Sequence, residues 1–246
     1  MQLEEELIVE VNNVFIQFNM ATERVSHLKE YVIKLLKHQL LFQKFEALKG
    51  ITFNVKKGEA WGIVGANGSG KSTLLKTISG ILKPYKGNVK IKGTVSPLIE
   101  LGAGFDGEMT ARENIFLNGC VLGYTEEFLK EKFDEIVDFA EVREFLDVPL
   151  KNFSSGMAAR LGFAIATTVK PDILICDEVL AVGDFKFQEK CEKRMNDLLS
   201  GGTTLLFVSH SIEQVKRMCK KAIWLDHGEM KMIGEADEVC DLYSKS

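Results

Sequence analysis

Residues 65–72 form a glycine-rich segment whose composition suits the binding of phosphate groups. The segment reads Gly-Ala-Asn-Gly-Ser-Gly-Lys-Ser, is followed by Thr73, and fits the pattern GxxxxGK plus Ser or Thr between an apolar run and a helical pattern. Glycines allow successive backbone N–H groups to curl around an anion, and the following helix directs the positive end of its dipole at it. The plain alternative is an ordinary glycine turn before a helix.

The same segment supplies candidate ligands for a nucleoside triphosphate. Lys71 is expected to reach the β- and γ-phosphates, and the Ser72 hydroxyl is expected to coordinate Mg²⁺. The predicted nucleotide-binding residues here are Gly65, Ala66, Asn67, Gly68, Ser69, Gly70, Lys71, Ser72 and Thr73. ATP and Mg²⁺ are therefore the expected cofactors.

Two adjacent carboxylates, Asp177 and Glu178, follow the apolar run 173–176. Phosphoryl transfer needs a metal ligand and a group that positions the attacking water. We therefore expect Asp177 to bind Mg²⁺, usually through water, and Glu178 to act as the general base. A carboxylate pair after a strand is weak evidence alone, but together with the phosphate loop it predicts hydrolysis of ATP.

The elements that must position these residues alternate between strand-like and helical patterns. Residues 7–18 predict an early strand pair, and helical patterns run from residue 110 to about residue 153, most clearly at 126–139 and 141–146. Alternating strands and helices imply a mostly parallel sheet covered on both faces. The other predicted strands are 48–55, 60–64, 88–92, 94–98, 173–176, 204–208 and 222–225.

Residues 20–41 predict a basic amphipathic helix inserted after the first strands. Its apolar positions are Val25, Leu28, Val32, Leu35 and Leu36, and its basic positions on other faces are Arg24, Lys29, Lys34 and Lys37. The plain interpretation is a helix that packs on its own domain with a solvated basic face.

A third motif separates the phosphate loop from the carboxylates. Phe153-Ser-Ser-Gly-Met157 precedes the helical run 158–164. It resembles the signature motif of ABC ATPases, usually LSGGQ, in the variant found among polysaccharide, O-antigen and teichoic-acid exporters. The resemblance implies that Ser154, Gly156 and the helix N-terminus bind the γ-phosphate of ATP held by the opposite subunit. An ordinary Ser-Ser-Gly helix cap is the alternative.

Other segments are similar to further elements of that family. Residues 181–184 resemble the D-loop, and His210 ends a strand where the family has the switch histidine that senses the γ-phosphate. Glu100 stands where the Q-loop glutamine is expected, either as a modified metal-site residue or as a random surface acid. The aromatic residue that stacks on adenine is Phe18, Phe42 or Phe45, each of which also has a plain core interpretation.

The resemblance covers essentially the whole chain and implies an α/β fold of the P-loop NTPase class. The expected parts are a RecA-like parallel sheet core, an antiparallel β subdomain and an inserted helical subdomain. We expect a single nucleotide-binding domain over residues 1–246, with the inserted helix at 20–41 and the helical signature subdomain at 108–160. The carbohydrate-binding domain that some of these exporters carry after the ATPase is expected to be absent.

The implied assembly is a homodimer that sandwiches two ATPs beneath two copies of a separate transmembrane permease. The chain is expected at the cytoplasmic face of the cell membrane, as a peripheral ATPase that powers export of a lipid-linked cell-surface polysaccharide, with only indirect contact with the glycan. The resemblance also implies a second interpretation of the helix at 20–41, in which it stands near the cytosolic mouth of the permease and its basic face meets anionic lipid headgroups or a pyrophosphate-linked glycan. A soluble ABC ATPase of translation or DNA repair is the alternative, and a small-molecule P-loop kinase is a more distant one.

Composition argues against several other classes of protein. The 246 residues carry a net charge of -4, so no global basic field indicates a nucleic-acid partner. The five cysteines are scattered singly, which argues against a zinc knuckle or a disulfide framework. The acidic N-terminus does not fit a secretory signal, and no apolar run approaches the roughly 18 residues that a membrane helix requires.

Overall fold

The computed structural model describes residues 6–21, 42–99, 101–102, 104–177 and 183–246, with the backbone alone at 20–21 and 42–43. Two sheets and their helices build this part of the chain. The strands are β1 (Leu7–Ala21), β2 (Phe42–Lys56), β3 (Ala60–Val64), β4 (Lys86–Ile91), β5 (Val95–Leu98), β6 (Ile173–Asp177), β7 (Thr204–Val208), β8 (Lys221–Asp226) and β9 (Glu229–Glu235). The helices are α1 (Lys71–Ile78), α2 (Ala111–Val121), α3 (Glu126–Ala140), α4 (Ser155–Ala166), α5 (Phe185–Ser200), α6 (Ile212–Met218) and α7 (Ala236–Tyr243).

The central sheet has six strands in the order β5-β6-β7-β3-β8-β9, parallel except for β9. Every residue of β7 is buried, and its side chains alternate between two hydrophobic cores. Leu205 and Phe207 join the core on one face, while Leu206 and Val208 join the core on the other. The sheet is thus covered on both faces, as predicted, and the fold class is confirmed.

The smaller sheet is antiparallel, with the order β2-β1-β4. Its strand β1 runs unbroken through 15 residues, so the prediction of a strand pair within residues 7–18 was wrong. The pair Asn12-Asn13 has the composition of a turn, but it forms an irregularity inside the strand instead. Asn13 takes a left-handed φ of 48°, and its N–H donates to Thr52 Oγ1 at 2.9 Å.

The start of the predicted helix at 20–41 was also placed too early. Met20 and Ala21 pair with Gln43 and Phe42 as the end of the β1–β2 ribbon, so the predicted helix at 20–41 cannot include them. Residues 22–41 lie outside the described residues. The amphipathic helix therefore stays a prediction for that stretch.

Helices α2, α3 and α4 follow one another along the chain between the phosphate loop and the strand that ends at Asp177. Thr110 and Glu113 close a reciprocal capping box that starts α2, since each side chain accepts the other residue's backbone N–H. Helix α3 ends at Glu141, whose left-handed φ of 60° stops the helix. The predicted helix at 141–146 is therefore reduced to a 3₁₀ turn, Arg143–Phe145.

The five cysteines are all free thiols. Cys176, Cys191, Cys219 and Cys240 are buried, and Cys120 on α2 is exposed. Burial is the main cause that raises the pKa of each buried thiol, to about 12 for Cys191. Among the described residues, no group of three or more His, Cys, Asp and Glu side chains could hold a metal ion.

Glu59 anchors the start of β3 to its surroundings. Its Oε2 accepts from the backbone N–H of Lys56 at 2.9 Å and from Trp61 Nε1 at 2.8 Å, and its Oε1 accepts from Lys221 Nζ at 2.8 Å. Burial raises the pKa of Glu59, but the three hydrogen bonds, led by that from Lys221, outweigh it and hold the pKa below the ordinary value.

We predict that Glu59→Gln lowers the free energy of unfolding by about 1 kcal/mol at neutral pH, since charged hydrogen bonds are lost at a partly buried site. Because the folded-state pKa is lowered, the stabilisation is present above the ordinary glutamate pKa and disappears as pH falls through the lowered value. Urea unfolding at neutral and acidic pH measures the difference. Glu126→Gln, which breaks an exposed pair with Lys130, is the control and should change little. A difference that persists in acid would contradict the charge argument.

Candidate functional site

The phosphate loop predicted from the sequence connects the end of β3 to the first turn of α1. Gly65 and Gly70 are required there by close backbone neighbours. A Cβ on Gly65 would lie 2.2 Å from the Leu225 carbonyl oxygen, and a Cβ on Gly70 would lie 2.8 Å from the Ala47 carbonyl oxygen. Both glycines also have positive φ, 150° and 107°, and Gly70 is the N-cap of α1. The glycines thus serve packing as well as access to the loop backbone.

Lys71 is folded back along the loop. Its Nζ donates to the carbonyl oxygens of Gly65 at 2.7 Å and Ala66 at 3.0 Å, and the residue is only 7% exposed. The ammonium group is therefore held beside the loop backbone, at the N-terminal end of α1, where phosphate would be bound.

A cavity of about 260 Å³ opens beside the loop. Two aromatic side chains from the antiparallel sheet, Phe18 and Phe45, line it opposite the loop residues. They are register partners across β1 and β2 and are 38% and 45% exposed. The remaining lining residues are Ala47, Asn67, Gly68, Gly70, Lys71, Ser72 and Thr73.

Phe18 and Phe45 thus both lie where a planar ring could stack. The third candidate, Phe42, pairs through its backbone with Ala21, and its side chain lies outside the described residues. The sequence could not single out Phe45, because the register of β1 against β2 depends on pairing across the insertion. The resemblance implies one aromatic residue that stacks on adenine, whereas the structure places two, Phe18 and Phe45, side by side on the cavity wall.

The strand order brings Asp177 and His210 to the end of the central sheet where the phosphate loop lies. Strand β7 lies between β3 and β6, and its last residue, Val208, is the register partner of both Ile63 and Asp177. Asp177 therefore ends its strand level with the start of the phosphate loop. His210, which is exposed, follows β7 two residues later, beside the cap of α6 at Ser211. The parallel strands thus bring the loop, Asp177 and His210 to one end of the sheet.

The signature segment starts helix α4. Ser154 is the N-cap, and its Oγ accepts from the backbone N–H of Met157 at 3.2 Å. Ser154 is exposed and Gly156 is partly exposed, while residues 161–166 of the same helix are buried in the core. No residue of α4 lines the cavity beside the phosphate loop within the described ranges. The exposed N-terminus of α4 is therefore accessible to a ligand that lies outside this cavity.

Three of the predicted elements fall partly or wholly outside the described residues. Glu178 follows Asp177 immediately and Glu100 follows β5, and neither is described. Residues 181–182 of the predicted D-loop are not described either, although Gly183 and Asp184 are. The roles assigned to Glu100 and Glu178 therefore stay predictions.

The described donors suit Mg²⁺ bound together with a nucleotide. Magnesium prefers oxygen ligands and is usually held by one or two protein groups, substrate phosphates and water. The Ser72 hydroxyl, in the first turn of α1, and the Asp177 carboxylate, at the end of β6, are oxygen donors at the same end of the central sheet. A cluster of three or more protein ligands is not needed for such a site.

Fold and site together define a P-loop nucleoside triphosphatase, with the glycine loop after one strand of a mostly parallel sheet and a carboxylate after another. The description of the matching family model, over residues 48–181, is ABC transporter. That match covers more than half of the chain, and close relatives agree with it. The protein belongs to the ABC transporter family and is an ATP-binding, ATP-hydrolysing cassette.

The relatives carry more specific names. The chain is 44% identical over 204 residues to the O-antigen export system ATP-binding protein RfbB of Klebsiella pneumoniae, with 83% of each sequence covered. It is 48% identical over 199 residues to the teichoic acids export ATP-binding protein TagH of Bacillus anthracis, covering 81% of this chain but 36% of that protein.

A solved structure with the same fold is the ATP-binding cassette MJ0796, determined as a dimer in a post-hydrolysis state bound to ADP and Pi. The TM-score is 0.74 at 24% sequence identity, with 93% of this chain and 99% of that chain covered.

Within the phosphate loop, Ser69 offers a direct test of its packing. The residue is 3% exposed, and its Oγ has no hydrogen-bond partner among the described residues. Because a buried unsatisfied hydroxyl costs free energy, we predict that Ser69→Ala raises the free energy of unfolding by about 1 kcal/mol. Ser72→Ala removes an exposed hydroxyl one turn away and is expected to leave stability unchanged. Urea denaturation of both variants measures this, and a destabilised Ser69→Ala protein would show that the hydroxyl has a partner.

Proposed function

We propose that the chain is the ATP-hydrolysing subunit of an exporter that moves a lipid-linked cell-surface polysaccharide across the cytoplasmic membrane. The single observation that carries the hydrolytic part is the alignment of the phosphate loop, Asp177 and His210 at one end of the sheet. The names of RfbB and TagH support the export part and favour it over a soluble ABC ATPase. The polymer is of the O-antigen, teichoic-acid or capsule-like type.

The nucleotide site would bind ATP through groups of the phosphate loop and the neighbouring strand ends. Backbone N–H groups of the loop and Lys71 bind the phosphates, and Ser72 and Asp177 hold Mg²⁺, with Glu100 as a further candidate at the metal site. Bound Mg²⁺ neutralises negative charge on the phosphates. Glu178 takes the proton of the attacking water as general base, and His210 hydrogen-bonds the γ-phosphate. Of these groups, Lys71, Ser72, Asp177 and His210 lie at one end of the central sheet because they end or follow three neighbouring strands, β3, β6 and β7.

Adenine binding is assigned to the aromatic pair Phe18 and Phe45. Both rings line the cavity beside the phosphate loop and are partly exposed. Aromatic faces stack favourably on planar rings. The pair would hold the base while the loop holds the phosphates, so the nucleotide would bridge the two sheets.

A complete site would need two chains. Ser154 and Gly156 begin α4 at an exposed position and are not part of the described cavity wall. A helix N-terminus with exposed donors binds anions, so it would meet the γ-phosphate bound to the partner chain. A homodimer with two-fold symmetry fulfils this for both sites at once. ATP binding would close the sandwich and hydrolysis would reopen it.

The chain would act from the cytoplasmic face of the membrane as a peripheral subunit. No helix in the described ranges is long and apolar enough to cross a membrane. Two copies of a separate transmembrane permease would form the passage, and the ATPase would contact the glycan only indirectly. Nucleic acid has no place in this assembly.

Glu178→Gln tests the hydrolytic step. The variant should bind ATP as the wild type does, because the γ-phosphate contacts remain, but turn over about 10²- to 10⁴-fold more slowly because the general base is lost. Steady-state ATPase assays and nucleotide titrations measure the two effects. In cells, surface polymer should be lost with the same substitution. Near-normal turnover would remove Glu178 from the mechanism, and normal export despite lost turnover would remove the export assignment.

Mixing two inactive variants tests the shared site. Lys71→Ala damages the phosphate loop of its own chain, whereas Ser154→Arg damages the site of the partner. In a mixed dimer one site therefore carries both lesions and the other carries none, so activity should reappear, up to half of wild type per mixed dimer. Each variant assayed alone is the control. Failure of Ser154→Arg to impair hydrolysis, or no recovery on mixing, would contradict the head-to-tail arrangement.

A further inference from the structure

A second cavity, of about 470 Å³, lies at the end of the central sheet opposite the nucleotide site. Strand β3 runs from one to the other. Its first residue, Ala60, lines this cavity, and its last residue, Val64, leads into the phosphate loop. At the rise of an extended strand these two residues are about 13 Å apart. The cavity is therefore separate from the nucleotide site, and it stays open to solvent in the proposed dimer, which sandwiches ATP at the other end of the sheet.

The walls of this cavity come from the ends of helices and strands. Leu199, in the last turn of α5, and Met218, the last residue of α6, supply apolar surface. Glu235, the last residue of β9, also lines the cavity. Strand β9 is two positions from β3 in the sheet, so the cavity extends across about 10 Å. Its volume falls in the range of sites that hold small organic molecules.

The charges around this cavity leave positive charge available to a ligand. Three lysines and two glutamates line it, which gives a net charge of +1. Glu59 is already paired with Lys221, whose Nζ donates to it at 2.8 Å. Lys57 and Lys220 are exposed, and neither side chain forms a salt bridge or hydrogen bond within the part of the chain that the structure describes. Lys57 acts on the carboxylate of Asp172 only at longer range.

The two lysines approach the cavity from neighbouring strands. Lys57 lies in the turn that leads into β3, and Lys220 directly precedes β8. The backbone N–H of Lys220 donates to the Ala60 carbonyl oxygen at 3.1 Å, which joins the starts of β3 and β8. Two ammonium groups on flexible stems are thus available at one side of the cavity, with apolar side chains beside them and Glu235 two strands from β3.

We propose that this cavity binds a small organic phosphate of the size of a phosphorylated monosaccharide, at a site separate from that of ATP. Lys57 and Lys220 bind the phosphate group, for which lysine serves as a compact point charge. The Glu235 carboxylate can only accept hydrogen bonds, so it suits hydroxyl groups of the same ligand. Met218 and Leu199 pack against the carbon skeleton.

Both parts of such a ligand are needed to match the cavity. A neutral sugar would leave the two ammonium groups without a counter-charge. Inorganic phosphate would leave the apolar wall and the Glu235 carboxylate without a partner. A ligand with one phosphate group and a hydroxylated carbon skeleton satisfies the lysines, the glutamate and the apolar side chains together.

The methyl group of Met218 provides a local probe for the test. The full chain is labelled with ¹³C at the methionine methyl groups and saturated with ADP and Mg²⁺, so that the phosphate loop is occupied. Titration with glucose 6-phosphate should shift the Met218 signal, assigned with Met218→Leu, in a saturable way. We expect a Kd of about 1 mM or below for a ligand of this size. Glucose and inorganic phosphate should each bind at least about tenfold more weakly, since each lacks one set of contacts.

The double substitution Lys57→Gln with Lys220→Gln tests the phosphate contacts. It should weaken glucose 6-phosphate binding by at least about tenfold, because two charge-assisted hydrogen bonds are lost. Its ATPase activity should equal that of the wild type, since neither lysine contacts the nucleotide site. Lys83→Gln with Lys90→Gln is the matched control, because it removes two exposed lysines outside the cavity. If the double variant does not fold, Lys57→Gln alone, in an exposed turn, should still weaken binding about threefold.

Four results would overturn the proposal. The first is the absence of a saturable Met218 shift with glucose 6-phosphate. The second is equal binding of glucose, which would show that the lysines do not select a phosphate. The third is equal binding of inorganic phosphate, which would show that the cavity does not hold a carbon skeleton. The fourth is equal weakening in the control variant, since the overall charge of the protein would then explain the binding.

Discussion

Three backbone segments meet around the phosphate loop with no room for side chains between them, and the rest of the site depends on this contact. Gly228, in the turn between β8 and β9, donates its N–H to the Ser69 carbonyl oxygen at 2.9 Å. Its own carbonyl accepts from the backbone N–H of Lys49 in β2 at 2.8 Å. The antiparallel sheet is thus tied to the central sheet by backbone hydrogen bonds. Phe45, four residues before Lys49, is thereby placed over the phosphate loop.

The helical region is attached by a different kind of contact. Its link to α5 combines ion pairs with a cluster of rings, in which Phe139 lies 5.8 Å from Phe163 and 5.7 Å from Phe187. Directed, charge-assisted bonds have defined geometry, and a packed cluster has few alternative arrangements. The region that carries the signature segment is therefore held both by these contacts to α5 and by direct packing of α4 on the central sheet, where Ser96 Oγ donates to the Ala166 carbonyl oxygen at 3.2 Å.

The sequence predicted the features that depend on residues close together in the chain. The phosphate loop follows from its glycines and Lys71, and the doubly covered sheet follows from alternating apolar strands and helices. The failures have a common physical cause, which is that pairing between distant segments overrides local signals. Residues 7–18 indicated a strand pair, but pairing with both β2 and β4 keeps β1 extended as one strand. Arg160 binds Glu141 and Asp184, which lie 19 and 24 residues away, and no local pattern in the sequence indicates such contacts.

The distribution of the thiols has a practical consequence for chemical probes of the molecule. Thiol reagents attack the thiolate, and burial withholds both access and ionisation from Cys176, Cys191, Cys219 and Cys240. Cys120 on α2 is exposed. The native chain therefore offers one position for a maleimide dye or spin label, in the helical region that carries the signature segment. In the proposed homodimer two such labels would be related by the symmetry axis, and the distance between them would report how the two helical regions move.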